Sequence, residues 1–190
     1  MVSALNNEAH AAIKQAIASA EQRTHAQIAV VVSKASDAYQ SYVLLYGLIV
    51  GSIASLALWM LRLAYDFPLL LLIQIGSMAV ISFVPQLRQL CIRFVPKRAL
   101  HHRAAHRAYE EYMFLSRHIS RETPFVLFYV SLAERYAHVL PSHNTRDKVP
   151  NDAWETVIRN FTGTVKQTSV QNACIQAIGQ IADTLAPHFS

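Results

Sequence analysis

The chain has 190 residues, of which 53% are hydrophobic and only 15% charged, and it carries a net charge of +5 at neutral pH. Ordinary globular chains run near ~25% charged, so this one is short of the polar surface that a protein wholly immersed in water needs. The positive balance admits a nucleic-acid partner, but no RNA-module motif or aromatic stacking platform accompanies it, which excludes nucleic acid.

The opening MVSALNNEAHAAIKQ has no basic stretch followed by an apolar one, so no secretory signal is expected. Asn6 or Asn7 can cap a first helix, in which Ile13, Ala16, Ile17 and Ala20 recur at the helical period. The run QIAVVVS (Gln27–Ser33) is short and β-branched, and fits a strand covered on both faces.

Two uncharged segments follow, Val43–Leu61 and Phe67–Leu87, each near the ~20 residues that cross ~30 Å of hydrocarbon. The intervening RLAYD allows only a tight turn, so a transmembrane hairpin is expected rather than a buried soluble one. Arg88, Arg93, Lys97, Arg98, Arg103 and Arg107 come after the second segment, with no acid before Glu110. The positive-inside rule then predicts a multi-pass protein of the bacterial inner (plasma) membrane with both termini cytosolic. Tyr39, Tyr42 and Tyr46 at one boundary, and Trp59 and Tyr65 at the other, fit the headgroup zones.

Gly47, Gly51 and Ser55 form a small-residue stripe, read first as packing inside the hairpin and second as a homodimer seam. Gln74 is the strongly polar side chain in these segments, and the lack of ionisable ones excludes a transporter or channel. Cys91 and Cys174 stand far apart and make neither a disulfide framework nor a CxxC metal signature.

Pro96 predicts a new helix over Lys97–His118, with Leu100, Ala104, Ala108, Tyr112 and Leu115 inward. PFVLFYVSL (Pro124–Leu132) and YAHVL (Tyr136–Leu140), joined by the polar AER, predict a strand hairpin. Pro150 introduces a helix in which Asp152 and Glu155 have capping-box spacing, with Trp154, Val157, Ile158, Phe161 and Val165 on its apolar face. A last helix carries Val170, Ala173, Cys174, Ala177, Ile178, Ile181 and Leu185 inward and ends before Pro187.

The expected fold is therefore α/β, a small mixed sheet sandwiched between helices and interrupted by a two-helix transmembrane hairpin. Residues 1–42 supply one half of the soluble domain, 43–87 the hairpin (43–61 and 67–87), and 88–190 a juxtamembrane basic helix with the other half.

In EQRTHAQIAVVV (Glu21–Val32), RETPFVLFYVSLAERYAHVL (Arg121–Leu140) and KVPNDAWETVIRNF (Lys148–Phe161), the chain resembles the TPM-domain family. Order and spacing resemble a subgroup of small bacterial membrane proteins whose TPM domain is split by a transmembrane hairpin. The resemblance implies an α/β sandwich. It also implies acid phosphatase activity or calcium binding in some members, and auxiliary or repair roles at membrane complexes in others. A LemA-like membrane protein is the partner it implies. Gln27 stands where many relatives carry Glu, and Ser142–Lys148 where they carry a glycine-rich acidic loop, so no cofactor is expected.

Metal-assisted phosphoryl transfer needs converging carboxylates or a cationic phosphate clamp. Glu134, Asp147 and Asp152 can converge at the end of the strand hairpin near Arg135 and Arg146, against a plainer reading as a solvated turn and a helix cap. His102, His106 and Glu110 share one helical face and have metal-ligand spacing. The surrounding cations oppose metal capture and favour a headgroup-binding face made with Arg88, Arg93, Lys97, Arg98, Arg103 and Arg107. No Walker loop, GxSxG, HExxH or CxxC is present. The expectation is a membrane-anchored, cytosol-facing interaction or auxiliary factor contacting lipid and a membrane protein. The alternative is a metal-assisted acid phosphatase.

Overall fold

A computed structural model of the chain describes residues 7–37, 39–63, 66–120 and 122–189, leaving out the side chains of Arg88, Gln89 and Ile92. Asn6 as a helix cap, Tyr65 as an interfacial ring, Arg121 at the head of a TPM-like segment and the Arg88 side chain as a headgroup ligand lie outside the described residues. The element order is α1 (Asn7–Thr24), β1 (Gln27–Ser33), α2 (Gln40–Met60), α3 (Phe67–Phe83), α4 (Pro85–Arg93), α5 (Lys97–Ser116), β2 (Phe125–Ser131), β3 (Tyr136–Pro141), α6 (His143–Arg146), α7 (Asn151–Thr164) and α8 (Val170–Leu185). Two compact units result, Met1–Ser36 with His101–Ser190, and Asp37–Leu100.

The first unit is an α/β fold built on a three-stranded mixed sheet of order β1-β2-β3. β1 and β2 run parallel, with Ile28 opposite Val126 and Ser33 opposite Ser131. β3 returns antiparallel, with Ser131 opposite Tyr136 and Val126 opposite Pro141. Side chains alternate across the pleat. Ile28, Val30, Val32, Val126, Phe128, Val130 and Val139 therefore pack on one face with residues of α1, α7 and α8. Val31, Phe125, Leu127 and Tyr129 pack on the other face around Ala108 of α5. β2 is the central strand, and all seven of its residues are buried, which is why it reads as an unbroken apolar run. Phe128 meets Phe161 edge to face, with ring centroids 5.1 Å apart.

Local signals mostly hold. Ser169 caps α8 by accepting from the Asn172 N–H. The predicted capping box on α7 does not form, because Pro150 itself occupies the N-cap and Asp152 falls inside the first turn. Proline there presets the helical approach and leaves the side-chain cap without its position.

The second unit contains α2 and α3 packed antiparallel, and α4. Gly47, Gly51 and Ser55 are buried in α2 and face α3. A Cβ at Gly47 would lie 2.8 Å from the Met78 Cα, and one at Gly51 would lie 2.9 Å from the Gln74 Cα and press on the Ser77 hydroxyl. The close approach brings polar groups into register. Ser77 Oγ donates to the Gly47 carbonyl at 2.9 Å, and Ser55 Oγ to the Leu70 carbonyl at 3.2 Å. The Gln74 amide donates to Ser52 Oγ at 3.3 Å. The small-residue stripe is thus occupied within the chain.

The expected second span is cut short. α3 ends at Phe83, and Val84 is extended, with φ −88° and ψ 110°, because the ring of Pro85 pushes its predecessor out of helical space. Pro85 then opens α4. At 1.5 Å per residue, the 17 residues of α3 fall short of ~30 Å of hydrocarbon. Among the described residues one helix, Gln40–Met60, is long and apolar enough to cross a membrane. This overturns the multi-pass topology. With it goes the placement in the bacterial inner membrane with both termini cytosolic, since that rested on two opposed crossings.

Candidate functional site

Parallel strands gather ligands outside their carboxyl ends, and here β1 and β2 end together at Ser33 and Ser131. Beyond them lies a polar knot. Glu134, in the β2–β3 turn, is only 4% exposed. Its carboxylate accepts from the Ser36 N–H at 2.9 Å and from the Ser131 hydroxyl. Ser36 Oγ donates to Ser131 Oγ at 2.9 Å, so its 3.1 Å contact with the Tyr129 hydroxyl has tyrosine as donor. Burial is the main force pushing the Tyr129 phenol above its usual range, and the Glu134 charge adds to it. The phenol stays protonated and the chain Tyr129–Ser36–Ser131–Glu134 has one sense.

This arrangement polarises Ser131 as a nucleophile would need, yet Ser131 is 1% exposed and no substrate atom can reach it. Its effect is to tie the segment after β1 to the β2–β3 turn, two stretches distant in sequence.

Glu134 and Asp147 do not converge. β3 separates them, its six residues spanning ~20 Å, and Asp147 follows α6 at the opposite end of the sheet. Asp152 lies in the first turn of α7. Asp147 pairs with His143 at 3.4 Å and lines a cleft of about 620 Å³ with Tyr112, Glu122, Ser142 and Asn144. Arg135 stands at the tip of the β2–β3 turn with φ 50°.

On α5, the Glu110 carboxylate is divided between His106 at 3.4 Å and Arg107 at 3.0 Å, and Arg107 also pairs with Glu111 at 2.9 Å. His102 is exposed. Among the described residues no group of three or more His, Cys, Asp or Glu gathers where it could hold a metal ion. Arg93, Lys97 and Arg98 are exposed and Arg103 is half-buried. The Cys174 thiol is pushed up to about 12 by burial and is inert at neutral pH.

Tyr136 on β3 makes tilted ring contacts with His101, at 5.8 Å, and with His138, at 5.9 Å. Burial pushes the His138 imidazole below its usual value. As pH falls, the unfolded chain takes up this proton first, so the unfolded state binds more protons and stability falls. The full chain in nonionic detergent is therefore expected to lose thermal stability as pH falls below ~6.5, the unperturbed histidine value. The His138→Phe variant should show a flatter profile in the same melts.

The sequence signal for Glu134 was its position in a polar turn. Ser131 and Ser36 carried none, since a serine that ends a strand, or lies in the loop after one, reads as a boundary. Comparison with known proteins gives one finding of fold. A scan of protein-family models finds no match, and no curated protein matches. Among solved structures, the chain is similar to the NMR structure of BA42 protein from the psychrophilic bacterium Bizionia argentinensis, with a TM-score of 0.58 and 17% identity. The match covers 98% of this chain and 85% of that one. Similarity at this level is similarity of the mixed α/β fold.

Proposed function

We propose that the chain is an α/β domain of the TPM type, held at a lipid bilayer by its apolar helix α2 and acting as a non-enzymatic interaction or auxiliary factor for another membrane protein, of LemA-like kind. The observation that carries this reading is the inverted polarity of the second unit. Gly47, Gly51 and Ser55 are buried against α3, while Leu45, Ile49, Ile53, Leu56, Leu72 and Ile75 are exposed. Only 22% of the most apolar window of α2 is buried. In water such a surface is a liability; in lipid, close packing of small residues inside with large apolar side chains outside is the stable arrangement. In the α/β unit the polar knot is sealed, and Glu134 lies a strand's length from Asp147. That separation favours the non-enzymatic reading over a phosphatase centre built on Glu134 and Asp147.

Two measurements on the full chain test this. After reconstitution with phosphatidylcholine–phosphatidylglycerol vesicles it should float with lipid and remain there after alkaline washing. It should show no turnover of a generic phosphomonoester with or without divalent metal. Recovery as a dispersed species in plain buffer, or turnover that Glu134→Gln or Asp147→Asn abolishes, would overturn the proposal.

A further inference from the structure

We infer that the cleft between the β2–β3 turn and the α7–α8 connection binds a small single-chain amphiphile with an anionic head, of the fatty-acid type. The cleft encloses about 450 Å³, within the roughly 300–1,000 Å³ typical of small-ligand sites. Phe161, Val165, Val170 and Ala137 line it, and Arg135 and Lys166 stand among its lining residues. It lies wholly within the α/β unit, so the inference is independent of how α2 and α3 are solvated.

Charge selects the head. No acid lines this cleft among the described residues, and neither Arg135 nor Lys166 has an ion-pair partner there. Arg23 and Arg107, by contrast, are both neutralised by carboxylates. The last turn of α7 brings the negative end of one helix dipole to the site at Val165, and the first turn of α8 brings a positive end at Val170. These offset each other, so the two side-chain cations set the sign. Arg135 holds a left-handed backbone, φ 50°, that glycine or asparagine would adopt with less strain. A long cationic side chain nevertheless occupies the turn that borders the cleft.

Apolarity selects the tail. The apolar Val130, Leu132, Ala137, Phe161, Val165 and Val170 outnumber the hydroxyl-bearing Ser131, Tyr136 and Thr162 in the lining, so most of the polar edge of a nucleotide or sugar would be buried unpaired. An alkyl chain loses nothing there. The head is a carboxylate or a phosphate monoester, both of which a guanidinium and an ammonium can hold.

The test uses the full chain in phosphatidylcholine nanodiscs, photolabelled with a diazirine-bearing dodecanoate and mapped by peptide mass spectrometry. Saturable labelling is expected in the peptides carrying Ala137 and Phe161–Val170. Dodecanoate or dodecyl phosphate should compete about tenfold better than uncharged dodecanol, and the better of the two identifies the head. The Arg135→Gln/Lys166→Gln double variant should weaken labelling about tenfold. Lys148→Gln, which removes a cation held over the Phe189 ring outside this cleft, should leave labelling unchanged. Val165→Trp should fill the cleft and abolish labelling while the circular dichroism spectrum is retained. Equal competition by dodecanol, labelling confined to α2 and α3, or labelling indifferent to the double variant would overturn the inference.

Discussion

Replacing Val50 by lysine is expected to strip the full chain from vesicles. Val50 is the middle residue of α2, counted from Gln40 to Met60, and its side chain is 50% exposed. A lysine at the centre of a lipid-embedded helix costs ~2.5–3.5 kcal/mol on insertion scales, which is roughly a hundredfold in partitioning. The floating fraction should fall accordingly and the displaced chain should aggregate. If α2 instead faced water, the same change would relieve an exposed apolar patch and raise solubility. The two environments predict opposite signs, so one flotation gradient of wild type beside Val50→Lys decides between them.

Gly51→Leu should part the helical pair. The first added carbon already meets the Gln74 backbone at 2.9 Å, and backbone, unlike a flexible side chain, has nowhere to retreat. Overpacking of this kind costs ~1–3 kcal/mol. Separating the helices also loses the Ser77, Ser55 and Gln74 hydrogen bonds, each worth about 0.6 kcal/mol on average in membrane settings. The melting midpoint of the second unit in mild detergent should drop clearly. Gly76→Leu is the matched control, because a Cβ at Gly76 meets nothing within 4 Å, and it should melt with the wild type. Equal effects at both glycines would show that the contact at Gly51 carries no special stability.

How much of this was legible in the residues depended on whether the cause was local. β1 was, to the residue, because QIAVVVS is β-branched and bounded by polar neighbours. β2 was legible as a strand of the hairpin because its run is nearly all apolar, but its central place comes from pairing with both β1 and β3. The end of α3 is a different case. The absence of charge from Phe67 to Leu87 favours a long span, but Pro85 acts on its predecessor's backbone and overrides composition. Val84–Pro85 was visible as a dipeptide and needed only the steric rule to be weighed above hydropathy. α4 and the four-residue α6 are too short to build a periodic signal.

The candidate site was legible in part. Glu134 stood out as an acid in a tight turn, but its burial arises from Ser36, a residue 98 positions away, and no local pattern records that pairing. Asp147 and Glu134 appeared close because both flank the strand hairpin. The hairpin has two ends, and the length of β3 keeps them apart. Arg135 was noticed as a neighbouring cation. Its companion Lys166 joins it only through the packing of α7 on the sheet, which spacing along the chain does not encode.

The parallel pairing of β1 with β2 has a consequence for biosynthesis. β1 leaves the ribosome with its partner strand still unmade, and at ~5–20 residues per second several seconds pass before β2 follows it. During that interval the greasy α2 and α3 emerge and must be received by their surroundings while the sheet that will sit beside them in the sequence does not yet exist. A bare, β-branched strand waiting on a nascent chain is a target for holding chaperones. Slower translation across Gln40–Phe83 lengthens that exposure, and faster translation shortens it.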